Sequence, residues 1–268
     1  MKVAIMQMQV NSNGTKASIE QLLKRFKLVD MRGQYPDIID EARSEKLTYE
    51  EFLLRLLEVE AEGKDHRRAK RRLKNANFDS LAMLEQIDYS FNQSLDRSQI
   101  ESLGKLGFIS ARENVIIVGP PGVGKTMIAK GIGYNACIAG YKVLFVNAKE
   151  LVDGLYKAML SGSLEGVLKR LCQVNLLIID ELSYVKMDRE RESLFFQVVR
   201  SRYEKGSIIV TTNLPLGRWD ELFTGQLAAT AILDRLLHHC HQIRITGDSY
   251  RIKGPVRTSG RTRMAINN

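Results

Sequence analysis

The chain has 268 residues and little cysteine: Cys137, Cys172 and Cys240 only. An odd number at these spacings excludes a disulfide framework and a cysteine-ligated zinc module. The three read as small core residues of a reducing compartment. No stretch supplies the roughly 20 consecutive apolar residues of a membrane span. The start, Met1 to Val10, is too polar and short for a secretion signal. Neither an internal repeat nor a low-complexity segment is present. These absences predict a cytoplasmic protein with no membrane partner. Acid is also in deficit: 31 Asp and Glu face 40 Lys and Arg, for a net charge of +9. That excess points to a polyanionic partner, nucleic acid first. The lone tryptophan, Trp219, is expected to be a packing residue.

What is there begins with Gly119-Pro120-Pro121-Gly122-Val123-Gly124-Lys125-Thr126, followed by Met127. This is the phosphate-cradling P-loop pattern, and its flanks fit. Asn114 to Val118 reads as a buried strand, and a helical stretch starts at Thr126. Glycines let backbone N–H groups turn onto phosphates, and the helix dipole favours their charge. Lys125 is placed to reach the β- and γ-phosphates of ATP, and Thr126 to hold Mg²⁺.

Leu176 to Ile179 is an apolar run ending in Asp180-Glu181. Acids at the carboxyl end of a strand lie where α/β sheets bind ligands. Asp180 is assigned to the Mg²⁺ shell and Glu181 to deprotonation of an attacking water. A further strand ends in Thr211-Thr212-Asn213. Were it to lie between the P-loop strand and the Asp180 strand, Asn213 would reach the γ-phosphate. Arg235 is the candidate cation for the transferring phosphate, a role often filled from a neighbouring subunit; the alternative is a surface partner of Asp234. A metal at His238-His239-Cys240-His241 is rejected, because adjacent side chains in a helix or strand diverge.

Three segments follow from the pattern. Residues 1–77 are expected to form a helical module, loose to about residue 14. Its helices start at the capping boxes Ser18–Gln21, running to Met31, and Thr48–Glu51. It ends in a basic run of Lys64, Arg67, Arg68, Lys70, Arg71, Arg72 and Lys74, opposed only by Asp65. Such a run suits a phosphate backbone. Lys149, Lys157, Lys169 and Arg170 are further candidates for DNA contact. A third capping box, Ser98–Glu101, opens a helix before residues 114–118. From there to residue 253 strands and helices alternate, which predicts a parallel sheet covered on both faces. Residues 254–268 contain no acid and read as a disordered basic tail.

Together these residues resemble the IstB-like ATP-binding proteins, a branch of the AAA+ ATPases that includes the DnaC helicase loaders. The resemblance runs from about Ser44 to Lys253. Beyond the P-loop it is carried by Glu51 to Leu57, Phe91 to Arg97, Asn213 to Trp219, Ile232 to His239 and Asp248 to Arg251. It implies an α/β P-loop AAA+ core with a parallel five-stranded sheet and no separate lid domain, preceded by a small helical domain. It also implies an ATPase that assists an insertion-sequence transposase by oligomerising on duplex target DNA and presenting it. In those terms Asp180 and Glu181 match Walker B, Asn213 matches sensor 1, Arg235 matches the arginine finger, and Arg251 matches a nucleotide-sensing arginine. A DnaC-like replicative helicase loader shares the same core and stays open as an alternative. A metabolic P-loop kinase is disfavoured, because it needs no water-activating glutamate.

Overall fold

The computed structural model describes residues 12–224 and 226–250. Residues 1–10, Arg251 and the tail 254–268 therefore lie outside the described residues. The chain divides into two compact units, one ending at Lys70 and the other starting at Arg71.

In the first unit, α1 is Ser12–Arg25, α2 is Val29–Glu45 and α3, Tyr49–Asn75, starts. The expected helix from Ser18 to Met31 is thus corrected twice. It starts earlier, at Ser12, and it breaks after Arg25. Lys27 takes a left-handed φ of 57°, and the Leu28 N–H reaches back to the Leu23 carbonyl at 2.9 Å. The apolar periodicity is real but spans a chain reversal. Leu23 of α1 packs with Met31 and Tyr35 of α2, flanked by Ile19, Leu28, Ile39 and Leu56.

Leu28 gives α2 no side-chain cap. The first-turn amides are satisfied from another helix instead. Glu60, buried on α3, accepts from the N–H groups of Asp30 at 3.0 Å and Met31 at 3.1 Å. Arg67 pairs with Asp30 and, at 3.3 Å, with Glu60. The start of α3 carries the expected capping box. The Thr48 amide donates to Glu51 at 2.8 Å, and the Glu51 amide returns to the Thr48 hydroxyl at 3.2 Å.

The second unit begins inside α3, before the expected boundary at residue 77, because the end of that helix already belongs to its packing. Arg72 donates to the Cys137 carbonyl at 2.6 Å. The Ala76 carbonyl accepts from the Phe145 amide at 2.8 Å. Next come α4 (Arg97–Gly104) and the short α5 (Gly107–Ala111). The start of α4 corrects the expected Ser98 cap: Asp96 is the N-cap and accepts from the Gln99 amide at 3.0 Å.

Strands and helices then alternate: β1 (Asn114–Val118), α6 (Lys125–Ile138), β2 (Val143–Asn147), α7 (Ala148–Leu160), α8 (Leu164–Cys172) and β3 (Leu176–Asp180). They continue through α9 (Arg189–Arg202), β4 (Ser207–Thr212), α10 (Gln226–Leu237) and β5 (Cys240–Arg244). Among the described residues the sheet has five strands in the order β2-β3-β4-β1-β5. Every pairing is parallel. The period-2 alternation sorts side chains between two cores. Ile116, Leu177, Ile179, Ile208 and Val210 pack on one face with Leu194, Val198 and Ile232. Val115, Ile117, Leu176, Ile178 and Ile209 pack on the other with Ile100, Ile128 and Ile132. Trp219 is fully buried, as expected of a packing residue.

Arg202, at the end of α9, is buried without an acid. Its guanidinium ties together the carbonyls of Leu171, Val174, Asn175 and Ser207. Burial pulls its pKa down to about 10, so it stays charged at neutral pH.

Candidate functional site

The site is built where β1, β3 and β4 end and α6 begins. Gly119 leaves β1 so close to the Ile245 carbonyl oxygen that a Cβ there would approach it to 2.5 Å. Gly124 caps α6 at a φ of 100°, a left-handed conformation that glycine adopts without strain. This opens the first-turn amides of α6 for an anion. The Lys125 ammonium donates to the carbonyls of Gly119 and Pro120, at 2.7 Å each.

Thr126 donates from its hydroxyl to the carboxylate of Asp180, at 3.0 and 3.1 Å to the two oxygens. A hydroxyl and a carboxylate held this close are the hard oxygen donors that suit Mg²⁺. Thr211 of β4 donates to the same carboxylate. Its hydroxyl accepts from the Glu181 amide at 2.9 Å. Glu181 itself sits at φ 60° and ψ 44°, a conformation that a non-glycine residue holds only under constraint from its surroundings. Asn147, the last residue of β2, donates from its side-chain amide to the Glu181 carboxylate at 3.1 Å.

These residues surround a cavity of about 540 Å³ lined by Pro121 to Ile128, Glu181, Ser183, Thr212 and Asn213. Its volume falls in the range of small-molecule sites. Ile87, Phe91, Leu95 and Tyr250 add apolar and aromatic lining, beside the polar Gln86, Asp88 and Asn92. Phe91 and Tyr250 meet edge to face at 4.6 Å. The cavity therefore offers a lysine and the first turn of α6 together with aromatic rings. The arrangement accommodates a polyphosphate with an attached base.

The structure thus brings Lys125, Thr126, Asp180, Glu181 and Asn213 together, and β4 does lie between β1 and β3, the condition set for Asn213. Arg235 is elsewhere. It lies in the last turn of α10, donates to the Ala231 carbonyl at 2.8 Å, and rests over the Phe196 ring at 5.0 Å. It lines no part of this cavity. Asn147 and Thr211 escaped sequence reasoning. Register is the signal that finds Asn147, since it pairs with Asp180 across the parallel strands.

The basic candidates divide. Arg67 is engaged by Asp30 and Glu60, and Arg68 by Asp65 at 3.3 Å. Arg72 is engaged by the carbonyls ending α6. Lys70, Arg71, Lys74, Lys157 and Arg170 are exposed. The basic run is therefore partly structural, because three of its arginines hold neighbouring groups within their own units. No helix of the described residues is long and apolar enough to cross a membrane.

Comparison with known proteins agrees with this geometry. Residues 21–258 match the family model described as IstB-like ATP binding protein. A Pseudomonas aeruginosa protein named for ATP binding in insertion sequence IS21 is 42% identical over 235 residues, 88% of this chain and 89% of that one. A Geobacillus stearothermophilus counterpart from insertion sequence IS5376 is 37% identical, covering 89% of this chain and 95% of the other. Among solved structures, AMPPCP-bound DnaA from Aquifex aeolicus superposes with a TM-score of 0.52 at 20% identity, over 64% of this chain and 52% of that one. That likeness shows a shared fold over the covered part of the chain.

Proposed function

The chain belongs to the IstB-like ATP-binding family and is an ATPase, and from that premise we propose that it is a transposition helper. In this reading it oligomerises on duplex target DNA, presents that DNA to a transposase, and uses ATP hydrolysis to control assembly and release. One observation carries the reading. The hydrolytic set Thr126–Asp180, with Glu181 beside the cavity, sits in a chain that resembles insertion-sequence proteins along 88% of its length.

The chemistry follows from the placement of the side chains. The amides of the loop and Lys125 bind the phosphates. Mg²⁺, held by Thr126 and Asp180, would neutralise charge on the β- and γ-phosphate oxygens. Glu181 accepts a proton as water oxygen bonds to the γ-phosphorus and the bond to the β-phosphate oxygen breaks, leaving ADP and phosphate. Asn147 holds the Glu181 carboxylate until then. Asn213 orients the water and the γ-phosphate. Arg235, away from its own cavity, is available to the γ-phosphate of a neighbouring protomer. Arg251 is assigned to sensing the bound nucleotide. Exposed Lys70, Arg71, Lys74, Lys157 and Arg170 supply phosphate contacts, which makes affinity fall steeply with salt.

The test is sizing of the purified chain with ATP and Mg²⁺ on duplex DNA, beside matched single strands and nucleotide-free controls. ATP-dependent growth into large assemblies on duplex is the expected result. Assembly on single strands alone overturns the duplex-helper reading in favour of a helicase loader.

A further inference from the structure

At the opposite end of the sheet from the nucleotide cavity, three metal-ligand side chains converge. Glu204 lies in the connection from α9 to β4, and His238 and His239 form the turn between α10 and β5. The divergence expected of neighbouring side chains applies within a helix or strand. Here neither histidine is in one, and the two rings meet at 4.2 Å between centroids. The other half of the His-rich run goes elsewhere. Cys240 starts β5, and the His241 ring pairs with Glu113 at 2.7 Å.

We propose that Glu204, His238 and His239 form a binding site for a divalent transition-metal ion of the zinc class. One ligand atom from each, a carboxylate oxygen and two imidazole nitrogens, lies within 4.8 Å of the others. Tetrahedral bonds of about 2.0–2.2 Å place donors roughly 3.3 Å apart, so small side-chain rotations close the set around an ion. Two nitrogen donors with one carboxylate select zinc-like ions over Mg²⁺ or Ca²⁺, which take oxygen. Three protein ligands leave a fourth position for water.

The backbones beneath these donors are anchored. Arg112 donates to the Glu204 carbonyl at 2.7 Å. The His238 amide donates to Asp234 at 3.0 Å, and the His239 carbonyl accepts from Asn114, at the start of β1, at 2.8 Å. The ring of His238 is oriented as well. The Tyr203 hydroxyl contacts its Nδ1 at 3.0 Å, which leaves Nε2 for an ion. A partner on the second ring nitrogen is how proteins commonly aim a ligating histidine. An ion bound here ties the end of α10, where Arg235 lies, to the connection after α9. This site does not depend on the reading of the nucleotide cavity.

The test uses the full-length, nucleotide-free protein, with Zn²⁺ titrated by calorimetry and Co²⁺ as a spectroscopic probe. The expected result is one Zn²⁺ per chain, with Co²⁺ absorption typical of nitrogen ligation. Glu204→Gln and His239→Gln should each weaken Zn²⁺ by more than roughly tenfold, and Tyr203→Phe by about 10-fold. Asp180→Asn should leave the Zn²⁺ affinity in place. Absence of Zn²⁺ binding in the wild-type chain overturns the proposal. So does binding that survives both ligand substitutions, or binding abolished by Asp180→Asn alone.

Discussion

The two units solve the problem of burial in opposite ways. The ATPase unit encloses apolar strands between two cores, and β3 and β4 are buried along their whole lengths. The helical unit buries a small cluster around Leu23, Met31 and Tyr35. It leaves Leu22, Phe26, Val29, Leu53, Leu54 and Leu57 exposed. Its buried charge, Glu60, is a cap for a helix that lacks one of its own. One unit is held by area removed from water, and the other relies on a few polar contacts. Chemistry that tolerates no misplacement sits on the first.

The sharpest way to separate the units is to damage each in turn. Glu181→Gln should lower ATP turnover by about 100- to 10,000-fold, as expected for loss of a general base. ATP affinity, read by equilibrium binding, should change little, and so should unfolding of the helical unit. A loss of turnover below tenfold removes Glu181 from its role. In the other unit, Glu60→Ala removes the acceptor of the Asp30 and Met31 amides, at a cost of about 1–3 kcal/mol for donors left unpaired, while Arg67 keeps Asp30. Trp219 is the only tryptophan and is buried in the ATPase unit, so its fluorescence reports that unit alone. Helicity by circular dichroism should be lost at lower denaturant while the Trp219 transition stays in place. If both transitions move together, the two units unfold as one and the contrast fails.

Two smaller effects refine the ATPase half. Arg202→Met keeps side-chain volume but removes the guanidinium from the carbonyls of Leu171, Val174, Asn175 and Ser207, of which Asn175 keeps the Ser207 amide. A loss of about 1–3 kcal/mol is expected from unsatisfied buried acceptors, read as an earlier Trp219 midpoint. Asn147→Ser should preserve an acceptor for the Lys149 amide, which Asn147 caps at 3.0 Å, but cannot span to Glu181. Freeing that carboxylate from one hydrogen bond should raise basal turnover about 2- to 10-fold. Unchanged turnover would mean that the Asn147 contact does not restrain Glu181.

The same contrast governs how much could be read from the sequence. The P-loop and Asp180-Glu181 were legible because phosphate chemistry demands contiguous residues of fixed type. The placement of β4 was a condition for Asn213 to reach a γ-phosphate, and the strand order meets it. Asn147 and Thr211 act across strands, and their roles emerge only once register sets them beside Asp180 and Glu181. The helical unit was harder. Its first break falls at Lys27, whose positive φ no glycine or asparagine announces. The cap of α2 comes from Glu60, some thirty residues away. At α4 two residues competed for one cap, and Asp96 rather than Ser98 accepts the free amide. Family likeness does not show which arginines of a basic run pair inside their own unit; Asp30, Glu60 and Asp65 decide that.

The smallest effect tests whether local rules hold in the helical unit at all. The capping box Thr48–Glu51 was visible in sequence and is present with both reciprocal bonds. Thr48→Ala should cost about 0.5–1 kcal/mol of local stability, seen as faster amide exchange in the first turn of α3. The Thr48 amide and hydroxyl hold the Glu51 carboxyl below its usual range. A carboxyl with a depressed folded-state pKa stabilises fully above its unfolded pKa of about 4.3. That contribution is lost as pH falls through the lower, folded value. Exchange at the start of α3, corrected for intrinsic pH dependence, should therefore be flat from neutral pH down to about 5 and rise only below the carboxylate range. Thr48→Ala should shift the Glu51 titration upward, toward its ordinary value. Were the titration unmoved by that substitution, the depression would rest on the residue-48 amide, which alanine keeps, and the Thr48 hydroxyl would add nothing to it.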